Sequence, residues 1–375
     1  MRDFALETYF SRWEFNARYH MTASDIESVS IADLLSMATD EDRDAFNNCW
    51  LGYTETWGAP DLREQISYTY ENVAPDDILC FAGAEEGVYA AMRVLLQAGD
   101  HVICAVPNYQ AAETVPLEIC NVSGVPLDPD DNWQLDIDAV AAAIRPNTKL
   151  ISVNFPNNPT GAVLERDRFD ALVGLCRENG IYLFSDEVYR GVERADDVRL
   201  PQAADVYERG LSLNVMSKAF GMPGLRIGWI ACRDRGVLQK LERYKHYLSI
   251  CNSAPSERLS IIALKNRENI LARNRTLVNE NANLLTDFFS RYPNTFEWVR
   301  PDGGCVGYPR FVAGDTNRFC ETLVEETGVL LLPPKIYHSD LLEVPADRFR
   351  VGFGRKKQIE GLQVWDEYLW AKDFH

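Results

Sequence analysis

Cationic residues are scarce in this chain: 38 Lys and Arg stand against 56 Asp and Glu, a formal net charge of −18. A surface of that sign repels nucleic-acid phosphates and anionic lipid headgroups, so neither is an expected partner. No two of the nine cysteines stand at Cys-x-x-Cys spacing, and several, such as Cys104 and Cys232, sit inside apolar runs. That pattern speaks against a disulfide framework or a zinc site, and for buried thiols in a reducing compartment. The five histidines form no His-x-x-x-His pair, so no metal site is expected. Long hydrophobic runs are missing too. Residues 1–10, MRDFALETYF, have no apolar signal core, and no stretch approaches a membrane span. The expected location is the cytoplasm. Repeats and low-complexity linkers are also lacking.

What is present is an alternation. Short apolar runs occur at 78–83, 101–106, 150–155, 181–186, 211–215 and 226–232. Helical patterns lie between them, among others at 85–97, 136–145 and 165–179. Continuous apolar strands separated by helices predict an α/β fold with a mostly parallel sheet buried on both faces. Ligands of such sheets bind beyond the carboxyl ends of the strands. From about 234 to 290 the pattern is helical, and 295–375 mixes short strands with a final helix, as in a small α+β domain. The aromatic-rich residues 1–30 are expected to fold onto that small domain or over a site.

Four motifs fall at strand ends: AGAEEGVYAA (82–91), NNPTG (157–161), SDEVY (185–189) and MSKAFGMPGLRIGW (216–229). Each alone has a plain structural explanation: a generic Gly-rich turn, an Asn/Pro/Gly turn, a helix cap, a surface lysine. Asn158, Asp186, Lys218 and Arg226 in that order are another matter. The set resembles the class I/II aminotransferases, from Tyr53 to Arg350.

The resemblance implies pyridoxal 5′-phosphate (PLP) as cofactor. It also implies PLP fold type I: a large domain (45–265) with a mostly parallel seven-stranded sheet, plus a small α+β domain with an N-terminal lid (1–44 and 266–375). Lys218 resembles the lysine that carries the cofactor as a Schiff base and then acts as base at Cα. Asp186 resembles the aspartate that pairs with the pyridine nitrogen. Asn158 and Tyr189 match the partners of the ring 3-oxygen, and Asn158 also borders the substrate. Arg226, Ser217 and the backbone N–H groups of Gly83, Ala84 and Glu85 match a phosphate cup. Tyr109 is placed to stack on the ring. Arg350 resembles the arginine that clamps the substrate α-carboxylate, with Arg348 and Arg355 nearby. Tyr53 matches a tyrosine that reaches the phosphate of a neighbouring subunit, which implies a homodimer with shared sites.

Two positions depart from the family pattern. Glu85 stands where a Ser or Thr commonly offers a hydroxyl to the phosphate, so its side chain is expected to point away. Val215 replaces a common Ser or Gly.

An amino acid substrate follows from the resemblance, and transamination is its commonest outcome. Segments of the N-terminal third, including LETYF, TASD and PNYQAAETVPLEI, also resemble the capreomycidine synthase group. That group eliminates hydroxide from a hydroxyarginine and closes a ring. Glu7, Glu14 and Asp25 of the lid would then hold a guanidinium or act as acid and base. The aromatics Tyr9, Phe10, Trp13, Phe15 and Tyr19 suit an aromatic substrate equally. A silent PLP-fold sensor is disfavoured because Lys218 and Asp186 are kept and no basic DNA-binding extension is present.

Overall fold

The computed structural model describes residues 1–374. After a two-residue strand, β1 (Tyr19–His20), the chain builds one sheet from β2 (Ile78–Phe81), β3 (His101–Val106), β4 (Asn121–Asp128), β5 (Gln134–Leu135), β6 (Thr148–Asn154), β7 (Tyr182–Asp186), β8 (Gly210–Val215) and β9 (Gly228–Ala231). Their order is β2-β9-β8-β7-β6-β3-β4-β5. Strands β4, β3, β6, β7 and β8 run parallel. β9 is antiparallel to both neighbours, and β5 is a short antiparallel edge on β4. The sheet thus has eight strands where seven were expected, the extra one being the two-residue β5.

β4 had no counterpart among the apolar runs, and its burial explains why. It lies next to the sheet edge and alternates exposed and buried residues, so NVSGVPLD carries no continuous apolar signal. The inner strands β3, β8 and β9 and the edge strand β2 are buried throughout. Helices cover both faces. Val88, Ala91 and Met92 of the helix Ala84–Leu95 join Leu213 and Ile230 in one cluster. Phe169, Leu172 and Cys176 of the helix Arg166–Asn179 pack with Ile151 and Leu183 on the other side. Gly180 ends that helix at φ 64°, a left-handed conformation that a glycine adopts without strain.

A helix of 24 residues, Arg267–Ser290, leads into the C-terminal part. There Phe289, Phe296, Phe319, Phe349 and Trp365 form an aromatic core between short strands and the helices Thr316–Thr327 and Gln358–Ala371. Residues 19–27 are woven into this part. β1 pairs in parallel with Val329–Leu330. The Gly352 N–H donates to the Met21 carbonyl at 2.9 Å, and the Glu27 N–H to the Gly354 carbonyl at 2.8 Å. The same segment then passes the carboxyl edge of the sheet, so it serves both roles expected of it. All nine cysteines are free. Among the described residues no helix is long and apolar enough to cross a membrane.

Candidate active site

A cavity of about 1210 Å³ opens at the carboxyl edge of the parallel strands. Its walls include Ala84, Glu85, Tyr109, Asn158, Asp186, Tyr189, Ser217, Lys218 and Arg226, together with Glu7 and Asp25. Strand pairing explains the convergence. Asn154 and Asp186 stand opposite each other at the ends of β6 and β7, and Lys218 follows the end of β8.

Lys218 is enclosed. Its Nζ donates to Ser24 Oγ at 2.9 Å. Burial lowers its pKa, with Asp25 opposing and Arg350 assisting. Asp186 is pushed up to about 6 by burial, against a hydrogen bond from the Val188 N–H and the nearby Lys218. Asn154, which sequence reasoning missed, fixes this strand end. Its Nδ2 donates to the Asp186 carbonyl at 2.9 Å, and its Oδ1 accepts from the Asn158 N–H at 2.8 Å. The Tyr189 hydroxyl donates to the Ser24 carbonyl at 3.0 Å, and burial raises its pKa well above the ordinary value. Ser24 was likewise missed. The small-residue step TASD marks its segment, but nothing local says that it meets Lys218.

An anion cradle lies at the other end. Gly83 has φ 100°, and a Cβ there would stand 2.1 Å from Arg226 Nη2. Only glycine therefore lets the arginine close on this turn. Arg226 itself has φ 51° and donates from Nη2 to the Ala82 carbonyl at 3.2 Å. The helix that begins at Ala84 aims its free N–H groups at the same place. Ser217 Oγ is buried and has no partner. Tyr109 stands above this floor, its ring 5.2 Å from that of Phe4.

Three expected residues fall elsewhere or behave otherwise. Arg350 is 0% exposed and sits behind the wall. Its Nη1 donates to Asn158 Oδ1 at 3.0 Å and to the Tyr337 hydroxyl at 2.8 Å, and its Nη2 to the Thr22 carbonyl at 2.7 Å. Arg355, named beforehand only as a neighbour, does line the cavity and grips Asp25 through Nη2 at 2.8 and 2.7 Å. Tyr53 is 84% exposed, away from the cavity. Glu85 overturns its expectation, because its side chain lies in the cavity. Oε2 is buried without a partner. Burial, then Glu7 and Asp186, push this carboxyl up to about 7.

The lid brings further acids. Glu7 and Glu14, in and just after the helix Ala5–Trp13, face the cavity. Glu14 is raised by burial, then by Glu7 and Asp25. Arg18, Lys356 and Lys357 stand in the same walls.

The sequence profile "Aminotransferase class I and II" matches residues 34–362. The chain belongs to that family. Among its relatives is capreomycidine synthase of Streptomyces vinaceus, 28% identical over 76% of this chain and 73% of that one. Another is the aspartate aminotransferase of Pyrococcus horikoshii, 28% identical over 77% and 76%. The crystal structure of a PLP-dependent aminotransferase from Streptococcus suis superposes with a TM-score of 0.92 at 29% identity, over 100% of this chain and 98% of the other. The family's cofactor is PLP, and this site fits it on its own terms. A cradle that a single Cβ would fill, an orphaned buried hydroxyl at Ser217 and a buried carboxyl at Asp186 match a phosphate and a pyridinium.

Proposed function

We propose that the enzyme transaminates a free α-amino acid whose side chain is cationic. The observation that carries this reading is the convergence of Glu7 and Glu14 on the cavity that holds Lys218. Burial raises the pKa of Glu14, and the neighbouring Glu7 and Asp25 raise it further, against Arg355 and Lys218. A guanidinium or ammonium would relieve that repulsion, and the carboxylate of an aspartate side chain would add to it.

PLP, when bound, supplies an electron sink for the carbanion at Cα. The chain's own residues do the rest. Lys218, whose amine pKa is lowered by burial, would take the proton from Cα and deliver it to the cofactor carbon that keeps the nitrogen. Asp186 holds the pyridine nitrogen protonated. Asn158 and Tyr189 orient the ring 3-oxygen, and Tyr109 covers the ring face. Gly83, Ala84 and Glu85 through their N–H groups, with Ser217 and Arg226, hold the phosphate. Arg350 takes the α-carboxylate in exchange for its Thr22 contact. Asp25, neutralised by Arg355, shapes the side-chain end. Tyr53 completes the cup of a second subunit in a homodimer.

One observation favours a second reading. Burial raises the pKa of Glu14, the direction that suits an acid protonating a leaving hydroxyl, and capreomycidine synthase is a relative. The deciding experiment is the absorbance of the holoenzyme mixed with single amino acids and no keto acid. Arginine or lysine should convert the cofactor to its amine form. Conversion by aspartate but not by these would overturn the cationic assignment. Product formed from a hydroxyarginine with the cofactor left in its aldehyde form would establish the elimination and cyclisation reading instead.

A further inference from the structure

Glu85 is the second residue of the helix Ala84–Leu95, one step from the cradle made by Gly83 and Arg226. A bare carboxylate beside a phosphate dianion would be repelled by it. The structure nevertheless turns this side chain inward, with Oε2 buried and unpartnered. The groups around it come from four elements: Glu7 from the lid helix, Tyr109 from the loop after β3, Asp186 from the end of β7, and Lys218 from the loop after β8. Tyr109 and Lys218 oppose the rise, more weakly than Glu7 and Asp186 drive it. Arg226 closes the cradle from the rim.

We propose that Glu85 is a neutral carboxylic acid that donates a hydrogen bond to the cofactor phosphate, replacing a hydroxyl at this place in the cup. The protein alone already raises the carboxyl to about 7, and a phosphate beside it adds a further anion of the same effect. The O–H so retained has one unsatisfied oxygen from which to donate, and a buried donor without an acceptor is destabilising. The helix dipole, which would otherwise favour the Glu85 anion, is taken up by the phosphate.

The inference rests on the phosphate lying at Gly83 and Arg226, and the test separates the two. Dissociation constants of PLP and of pyridoxal, which lacks the phosphate, are measured on apoenzyme from pH 6 to 9. The proteins are wild type, Glu85→Gln and Arg226→Gln. Proton linkage sets the sign: a group bound in its acid form loses affinity as pH rises through its titration. The preference of wild type for PLP over pyridoxal should fall with pH, by about tenfold for each unit by which phosphate raises the Glu85 pKa. In Glu85→Gln that fall should vanish, with affinity near pH 6 kept within a few-fold. The second ionisation of the phosphate is common to all three proteins. An identical pH slope in wild type and Glu85→Gln overturns the role of Glu85. So does an effect on pyridoxal equal to that on PLP, which would place the carboxyl against the ring or substrate. If Arg226→Gln leaves the preference for PLP unchanged, the phosphate lies elsewhere and the cup itself is wrong.

Discussion

Lys218 and Asp186 are both largely withdrawn from solvent on the cavity wall, and burial acts on them in opposite senses. Burial lowers the pKa of the lysine and raises that of the aspartate. Lys218→Ala should abolish turnover while leaving PLP bound without a covalent link, seen as loss of the lysine-bound absorbance band. Asp186 carries a stability consequence in the apoenzyme. Its folded pKa of about 6 lies above the ordinary 3.8, so the folded chain prefers the acid form. Below about pH 4 both states are protonated and nothing is lost. As pH rises through about 6, stability is lost on the order of 1–3 kcal/mol. Asp186→Asn should therefore melt above the wild-type apoenzyme at pH 7.5 and level with it at pH 4, by calorimetry. The same variant should lose most activity once loaded. A melting difference independent of pH would show that Asp186 is not a buried titrating group.

At the scale of elements, the lid helix Ala5–Trp13 decides how closed the site is. It is held from below by Gln110, whose Nε2 donates to the Asp3 carbonyl at 2.8 Å and whose Oε1 accepts from the Ala5 N–H at 2.9 Å. Arg2 adds ion pairs to Glu113 and Asp340, each at 3.0 Å. Gln110→Ala should free the helix, raising KM several-fold and speeding proteolysis before residue 15, with PLP affinity little changed. Unaltered KM would deny the helix a part in substrate binding. The cofactor floor was legible in the sequence because its residues flank apolar strands, where a polar side chain is conspicuous. Ser24, Asn154 and the inward turn of Glu85 were not legible. They depend on which loops meet across the sheet edge, and that is set by strand order. Arg350 was found by its motif, but its enclosure behind Thr22 follows from the pairing of residues 19–27 with the C-terminal strands.

The molecule as a whole shows one face that its own chain does not cover. Trp50, Leu51, Tyr53 and Tyr247 are 79, 81, 84 and 89% exposed. Buried Lys245 anchors this region, donating from Nζ to the Thr56 carbonyl at 2.7 Å and the Cys80 carbonyl at 2.8 Å. Large apolar side chains exposed together mark an interface. Trp50→Glu with Leu51→Lys should yield a monomer in sedimentation that folds but has at least tenfold weaker PLP affinity. A wild-type chain already monomeric when active would remove the shared-site reading of Tyr53. The weaving of residues 19–27 into the C-terminal strands has a consequence for the order of events at the ribosome. β1 has no partner until Val329–Leu330 has been made, and the Thr22 carbonyl has none until Arg350 follows. The strand ends bearing Asp186 and Lys218 can be in place long before that. Ser24 is therefore fixed beside Lys218 only after Val329–Leu330 and Arg350 have been made, later than the strand ends that it covers.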